Sequence, residues 1–312
     1  MQRTLYAAGM ERTAADVPLI STTNLTKRYG SHPALTDANV TVPAGTIYGF
    51  LGPNGAGKTT FIRMLMGFIR PTAGHARMFG HDSWTDGVLA RRQVGFLVPS
   101  SGLYPDLSGH AQLDYAARLS GEPPLQRATV LDALELSQQA LTRKLGTYSK
   151  GMRQKLALTA AMQTDPALLI LDEPTDGLDP LIQRNFEDLL RGMRDRGRTV
   201  FMSSHDLAEV ERVCERVAVV RSGRIVAEEL IANLQSRHAS RVTLHFATDI
   251  PEGLAQIPGV SVEHQREGQV DLLATGDMNP LLQFLAHNPV EDISIVRASL
   301  EDIFMTYYEV DR

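Results

Sequence analysis

The sequence predicts an α/β fold on a mostly parallel sheet, interrupted by a helical insert and followed by a small α+β appendage. Three observations predict it. Apolar runs of strand length recur at 46–51, 167–171, 199–203 and 217–220, and later ones alternate with helical patterns at 183–194 and 207–214. Strands alternating with helices fill a parallel sheet covered on both faces. Between 108 and 164 strand signals cease, and helical periodicity takes over at 112–119, 128–136 and 152–162. Beyond Leu230 the texture changes to short strands at 241–246, 260–264, 270–273 and 294–296 around one helical stretch at 281–287.

The remaining elements follow in order. Residues 1–18 mix charged residues with Thr and Ala, lack the apolar core of a secretory signal, and read as a loose leader. Residues 19–25 read as a strand. Strands at 39–42 and 46–51 are joined by the turn-forming Pro43-Ala44-Gly45. Residues 61–69 are apolar at helical spacing and end before Pro71. Ser222-Gly223-Arg224 turns the strand at 217–220 into another at 225–227. The expected organisation is a leader (1–18), a main domain (19–230) with a helical insert at about 97–164, and a C-terminal α+β domain (231–312).

Composition narrows the function classes. The chain has 312 residues, with 31 Lys and Arg against 36 Asp and Glu, a formal charge of −5. Mild acidity argues against a partner nucleic acid bound over a broad basic face. The one cysteine, Cys214, can form no internal disulfide and fits a reducing, cytoplasmic setting. No stretch approaches the ~18–20 apolar residues of a spanning helix, so direct membrane insertion is not expected.

The strongest local signal is Gly52-Pro53-Asn54-Gly55-Ala56-Gly57-Lys58-Thr59-Thr60. It fits G-x-x-x-x-G-K-[ST] and lies between a strand and a helix, the context that pattern requires. Glycines such as Gly52, Gly55 and Gly57 let backbone N–H groups wrap a phosphate, and the helix aims its positive end at the same anion. Lys58 supplies a cation to the β- and γ-phosphates, and the Thr59 hydroxyl can ligate Mg²⁺. The run 168–171 then delivers Asp172 and Glu173 at a strand's end. Asp172 would hold the Mg²⁺, and Glu173 would polarise an attacking water.

At this point the chain resembles the ATP-binding subunit of an ABC transporter, in the single-cassette form of drug- and antibiotic-export ATPases. The resemblance covers about 19–230. Tyr148-Ser149-Lys150-Gly151-Met152-Arg153-Gln154 is similar to the family signature, and Pro174-Thr175-Asp176-Gly177-Leu178-Asp179 to the D-loop region. Ser203-Ser204-His205-Asp206 is similar to the segment of the switch histidine, and Tyr29 matches the aromatic that stacks on adenine. The resemblance implies a P-loop NTPase fold of ABC type with an N-terminal antiparallel β subdomain. It also implies that Ser149 and Gly151 of one copy close over ATP held by another, with Asp179 at the seam and His205 sensing the γ-phosphate. The implied partners are a second copy, as a homodimer, and a separate membrane permease. The implied location is peripheral, on the inner face of the cell membrane, and the tail Ser299-Leu300-Glu301-Asp302-Ile303-Phe304 resembles an export-type accessory domain.

Plainer readings stand beside these. Ser149 is also a good helix N-cap, and Tyr29 is also an ordinary strand-end aromatic. Where relatives place a glutamine or glutamate, this chain has Pro99, which offers neither a side-chain oxygen nor an N–H. Ser100, a water or nothing takes its place, and slower hydrolysis or looser coupling is expected. That departure keeps open a regulatory, low-turnover ATPase, and a soluble ABC-type ATPase acting on ribosomes or DNA is the other rival. The nine histidines show no metal-ligand spacing, Cys214 reads as a packed thiol, and Arg194 to Arg198 reads as solvated charge.

Overall fold

The computed structural model describes residues 18–99, 102–236, 239–246, 250–251, 253–266 and 268–297. The leader up to residue 17, Ser100 and the tail at 299–304 lie outside the described residues. The chain divides into two compact units between Glu228 and Glu229.

The first unit begins with β1 (Ile20–Tyr29), β2 (His32–Ala38) and β3 (Thr41–Val42), then β4 (Ile47–Leu51) and α1 (Lys58–Leu65). Next come β5 (Ala73–Met78), β6 (His81–Asp82), α2 (Gly87–Arg91) and β7 (Val94–Phe96). The helical insert holds α3 (Gly109–Ser120), α4 (Arg127–Ala133), α5 (Gln138–Leu141) and α6 (Lys150–Met162). The chain then returns through β8 (Leu168–Asp172), α7 (Pro180–Asp195), β9 (Thr199–Ser204), α8 (Leu207–Val213), β10 (Arg216–Arg221) and β11 (Arg224–Leu230).

Two sheets share this unit. A six-stranded sheet runs β11-β10-β4-β9-β8-β7, parallel from β10 through β7. An antiparallel sheet runs β2-β1-β5-β6, with β3 on β1. The expected parallel core, antiparallel β subdomain and helical insert are therefore all present. Every residue of β4 and β9 is buried, as helices on both faces require.

The sequence joined 39–42 to 46–51 through a turn, but the two strands go to different sheets. β3 adds to β1, while β4 lies between β10 and β9. Pro43-Ala44-Gly45 is thus the bridge between sheets. The reading missed β2 and β5 because their strands mix His, Asp and Arg with few inward positions, such as Leu35, Ala76 and Met78. The β10–β11 turn places both Ser222 (φ 48°) and Gly223 (φ 75°) at positive φ, as tight hairpins favour.

An aromatic cluster ties α1 to the sheet. Phe50 of β4 stacks on Phe61 of α1 with ring centroids 4.6 Å apart, and Phe201 of β9 lies 5.6 Å from each. All three are fully buried. Because α1 starts at Lys58, this packing fixes where the glycine-rich loop ends.

The second unit contains α9 (Ile231–Ser236), β12 (Ala239–His245), β13 (Val260–Arg266), β14 (Gln269–Thr275), α10 (Asn279–His287) and β15 (Asp292–Arg297). Its antiparallel sheet runs β13-β14-β12-β15. Val242, Leu244, Val270, Leu272 and Ala274 form its core with Leu281 of α10.

Truncating Phe201 to Ala leaves a cavity beneath α1. Chemical denaturation is expected to show a loss of about 3–5 kcal/mol, typical of a buried aromatic. A loss below about 1 kcal/mol would mean that the cluster does not anchor the helix.

Candidate functional site

The loop after β4 is held by close backbone approaches. A Cβ on Gly52 would sit 2.3 Å from the Val220 carbonyl oxygen. Gly57 has φ 108°, and a Cβ there would lie 2.6 Å from the Ala34 carbonyl oxygen. Both positions therefore need glycine, and together they seat the loop against β10 and β2. Asn54 and Gly55 face solvent at its crest.

Lys58 lies beneath, with only 5% of its surface exposed. Its ammonium donates to the Gly52 carbonyl and, at 3.2 Å, to the Pro53 carbonyl. It also stands 3.0 Å from Glu173 Oε1. Thr59 is exposed and Thr60 half-buried on the first turn of α1, which carries no acidic side chain. That turn adds no negative charge of its own at the positive end of the helix, which suits an anion.

β8 and β9 bring the acidic groups to the same place. Their register sets Asp172 beside Ser203. The Ser203 hydroxyl donates to Asp172 Oδ1 at 2.6 Å and accepts from the Glu173 N–H at 3.1 Å. Glu173 takes a left-handed φ of 50°, uncommon for a residue with a side chain. Its carboxylate lies between two basic side chains, with Oε1 toward Lys58 and Oε2 2.7 Å from His205 Nδ1. Lys58, Asp172, Glu173 and His205 are thus brought together.

Ser149 and Gly151 lie at the start of α6, and Asp179 precedes α7. Ser149 caps α6, accepting from the Met152 N–H at 3.2 Å, and Asp179 caps α7, accepting from the Ile182 N–H at 3.1 Å. Among the described residues no hydrogen bond or ion pair joins them to Lys58. The plain capping reading of Ser149 is therefore realised in the single chain. Tyr29 ends β1 and is 49% exposed, with the Lys27 ammonium 5.2 Å from its ring centroid. Pro99 lies exposed just after β7, its carbonyl accepting from the Gly102 N–H at 2.7 Å.

Among the described residues no group of three or more His, Cys, Asp or Glu could hold a metal by itself. Asp172 and Thr59 are a sparse donor set, one carboxylate and one hydroxyl. That suits Mg²⁺, which keeps waters and takes substrate phosphate oxygens rather than a protein cage.

The sequence reading missed three features. Ser203 was read only as part of a motif, yet it links Asp172 to Glu173. Glu209 of α8 is 3% exposed, and the Ser204 hydroxyl donates to its Oε2. Burial pushes this carboxyl up to about 7, with the Ser204 and Thr175 hydroxyls opposing and the Asp206 and Glu173 charges adding to the rise. The arginines read as solvated charge are instead paired: Arg194 with Glu215 at 2.9 Å, and Arg196 and Arg198 with Asp165 at 3.0 and 2.8 Å. Cys214 is buried, its thiol pushed well up by desolvation, as a packed thiol should be.

The family model described as ABC transporter matches residues 35–176. The daunorubicin/doxorubicin resistance ATP-binding protein DrrA of Streptomyces peucetius is 34% identical over 92% of this chain and 91% of its own. The chain belongs to the ABC transporter family. The bacitracin transport ATP-binding protein BcrA of Bacillus licheniformis is 39% identical over 70% of this chain and 72% of its own. Among solved structures, an ATP-binding subunit of an ABC transporter superposes with a TM-score of 0.65 at 28% identity, covering 70% of this chain and 92% of that one. A cassette solved as a dimer bound to ADP and phosphate shares the fold, with a TM-score of 0.62 at 23% identity, over 68% of this chain and 98% of that one. The chain is an ATPase cassette of ABC type, and the described residues include no helix long and apolar enough to cross a membrane.

The Glu209 carboxyl makes stability depend on pH. Its folded pKa, about 7, lies above its ordinary value of 4.5. The folded chain therefore holds a proton that the unfolded chain has lost between those values, and stability falls as pH rises through that window. Glu209→Gln removes this dependence. Denaturation at pH 5 and pH 8 should show wild type losing up to about 3 kcal/mol more than the variant. Equal losses would place the Glu209 carboxyl at its ordinary value.

Proposed function

We propose that the chain binds ATP with Mg²⁺ and that two copies close head-to-tail over two nucleotides, driving export of a drug-like compound through a separate membrane permease. The observation that carries this reading is the Lys58–Glu173–His205 cluster beneath the glycine-rich loop. A buried ammonium held by carbonyls and a carboxylate is poised to exchange them for phosphate oxygens. The chemistry supplied by Mg²⁺ is neutralisation of charge on the transferring phosphoryl group, with Asp172 and Thr59 as its protein ligands.

The chain's own residues then have distinct tasks. Lys58 turns from the Gly52 and Pro53 carbonyls and from Glu173 toward the β- and γ-phosphates. His205 likewise moves its hydrogen bond from Glu173 to the γ-phosphate. Both moves release the Glu173 carboxylate, which becomes free to orient and deprotonate water. Ser203 holds Asp172 in place throughout. Tyr29 offers its exposed ring face to the adenine. Ser149, Gly151 and Asp179 act on the neighbouring copy's nucleotide, across a two-fold interface in which each copy supplies what the other lacks.

Support for export comes from the relatives, named for daunorubicin resistance and bacitracin transport. The cargo class follows them, and the permease supplies its specificity. The chain would then sit at the inner face of the membrane through that permease. Pro99 favours a second reading, a regulatory cassette with low turnover. A purified wild type hydrolysing ATP no faster than Glu173→Gln, with intact binding, would favour it.

Lys58→Ala should abolish nucleotide binding in a fluorescent-nucleotide titration. Glu173→Gln should retain it and accumulate an ATP-bound dimer in sedimentation with Mg-ATP; a monomer at saturating nucleotide contradicts the two-copy reading. Pro99→Gln should raise steady-state hydrolysis, because a side-chain oxygen returns to the position beside the reacting water. An unchanged or lower rate would mean that this loop does not serve the site.

A further inference from the structure

Two segments of one chain that serve different motifs are fastened together. Lys150, the first residue of α6, pairs with Asp176 at 2.8 Å. Its methylene stem lies along Gly177, where a Cβ would stand 3.3–3.6 Å from three of its carbons. A Cβ on Gly151 would lie 3.0 Å from the Gly177 carbonyl oxygen. Gln154 Nε2 donates to the Pro174 carbonyl at 2.7 Å. The start of α6 therefore grips the turn 174–177, and that turn leaves directly from Glu173.

Charge explains the pair. Lys150 places a cation at a helix N-terminus, where the dipole favours an anion, and α6 has no acidic residue in its first turn. Asp176 supplies the missing negative charge from outside the helix. The two side chains are 64% and 62% exposed, and an exposed ion pair contributes little to folding. Its consequence lies in linking two functional segments.

We propose that Lys150, with Asp176 and Gln154, is a positioning residue that relays closure of the signature segment to Glu173 of the same chain. When the Ser149 end of α6 meets the γ-phosphate held by another copy, the displacement passes through the pair to the turn that sets the Glu173 backbone. The two nucleotide sites are thereby coupled. This inference rests on the two-copy reading above.

The test is steady-state hydrolysis by the full chain against Mg-ATP concentration. It compares wild type, Lys150→Ala, Asp176→Ala and the charge swap Lys150→Asp/Asp176→Lys. Either single variant should lower kcat about tenfold, within the range of coupled neighbours, with KM for ATP and Tm unchanged. The Hill coefficient should fall from near two toward one, and the swap should recover most of the lost kcat. Single variants with wild-type kcat, or a swap no faster than the slower single variant, overturn the relay while wild type keeps a coefficient near two. A wild-type coefficient of one overturns the coupling of the two sites, whereas a monomer in sedimentation at saturating Mg-ATP overturns the two-copy reading itself.

Discussion

A lysine ammonium held almost out of water beneath a backbone loop is the constraint on which this site depends. Left unpaired, such a charge would be costly to bury. Lys58 meets that cost with the Gly52 and Pro53 carbonyls and the Glu173 carboxylate. Phosphate oxygens would be stronger acceptors for the same donor. The free site thus carries internal substitutes for its substrate, and Glu173, which would direct the attack on phosphate, is among them. In the proposed reading, tying that carboxylate to Lys58 and His205 would keep it engaged until a triphosphate took its place.

The rest of the first unit serves to hold this arrangement. Phe50, Phe61 and Phe201 lock α1 to β4 and β9, so the loop between β4 and α1 has fixed ends. The parallel register of β8 and β9 sets Asp172 against Ser203 and so delivers both acidic residues at one edge. Glu173 accepts a left-handed backbone at the point where β8 stops and the 174–177 turn begins. Packing, register and backbone conformation converge on a few atoms around one ammonium group.

Much of this was legible in the sequence. The glycine pattern, its flanking strand and helix, and the apolar run ending in Asp172 and Glu173 each carry a local physical meaning. Those patterns single out Lys58, Thr59, Asp172 and Glu173, and the resemblance to the family singles out His205. The apolar strands of the parallel sheet were visible because burial on both faces leaves unbroken runs. Strands with one wet face, β2 and β5, were not, since Pro33, Asp37, His75 and Arg77 obscure their alternation. The destination of β3 was also hidden, because a turn triplet does not say which sheet the next strand joins. Within the site, Ser203, Glu209 and the Lys150–Asp176 pair depend on contacts across 31, 5 and 26 positions. Only the fold brings the first and last of these together. Burial of Glu209 is equally invisible to a local reading, because α8 turns this one of its two glutamates inward toward Ser204.

The central claim is that a triphosphate replaces the carboxylate around Lys58. The most direct measurement is a crystal structure of the chain with Mg²⁺ and a non-hydrolysable ATP analogue. The account predicts phosphate density wrapped by residues 52–60, with Lys58 and His205 both withdrawn from Glu173. An empty loop at saturating analogue, or a bound analogue with the Lys58–Glu173 pair intact, would contradict it.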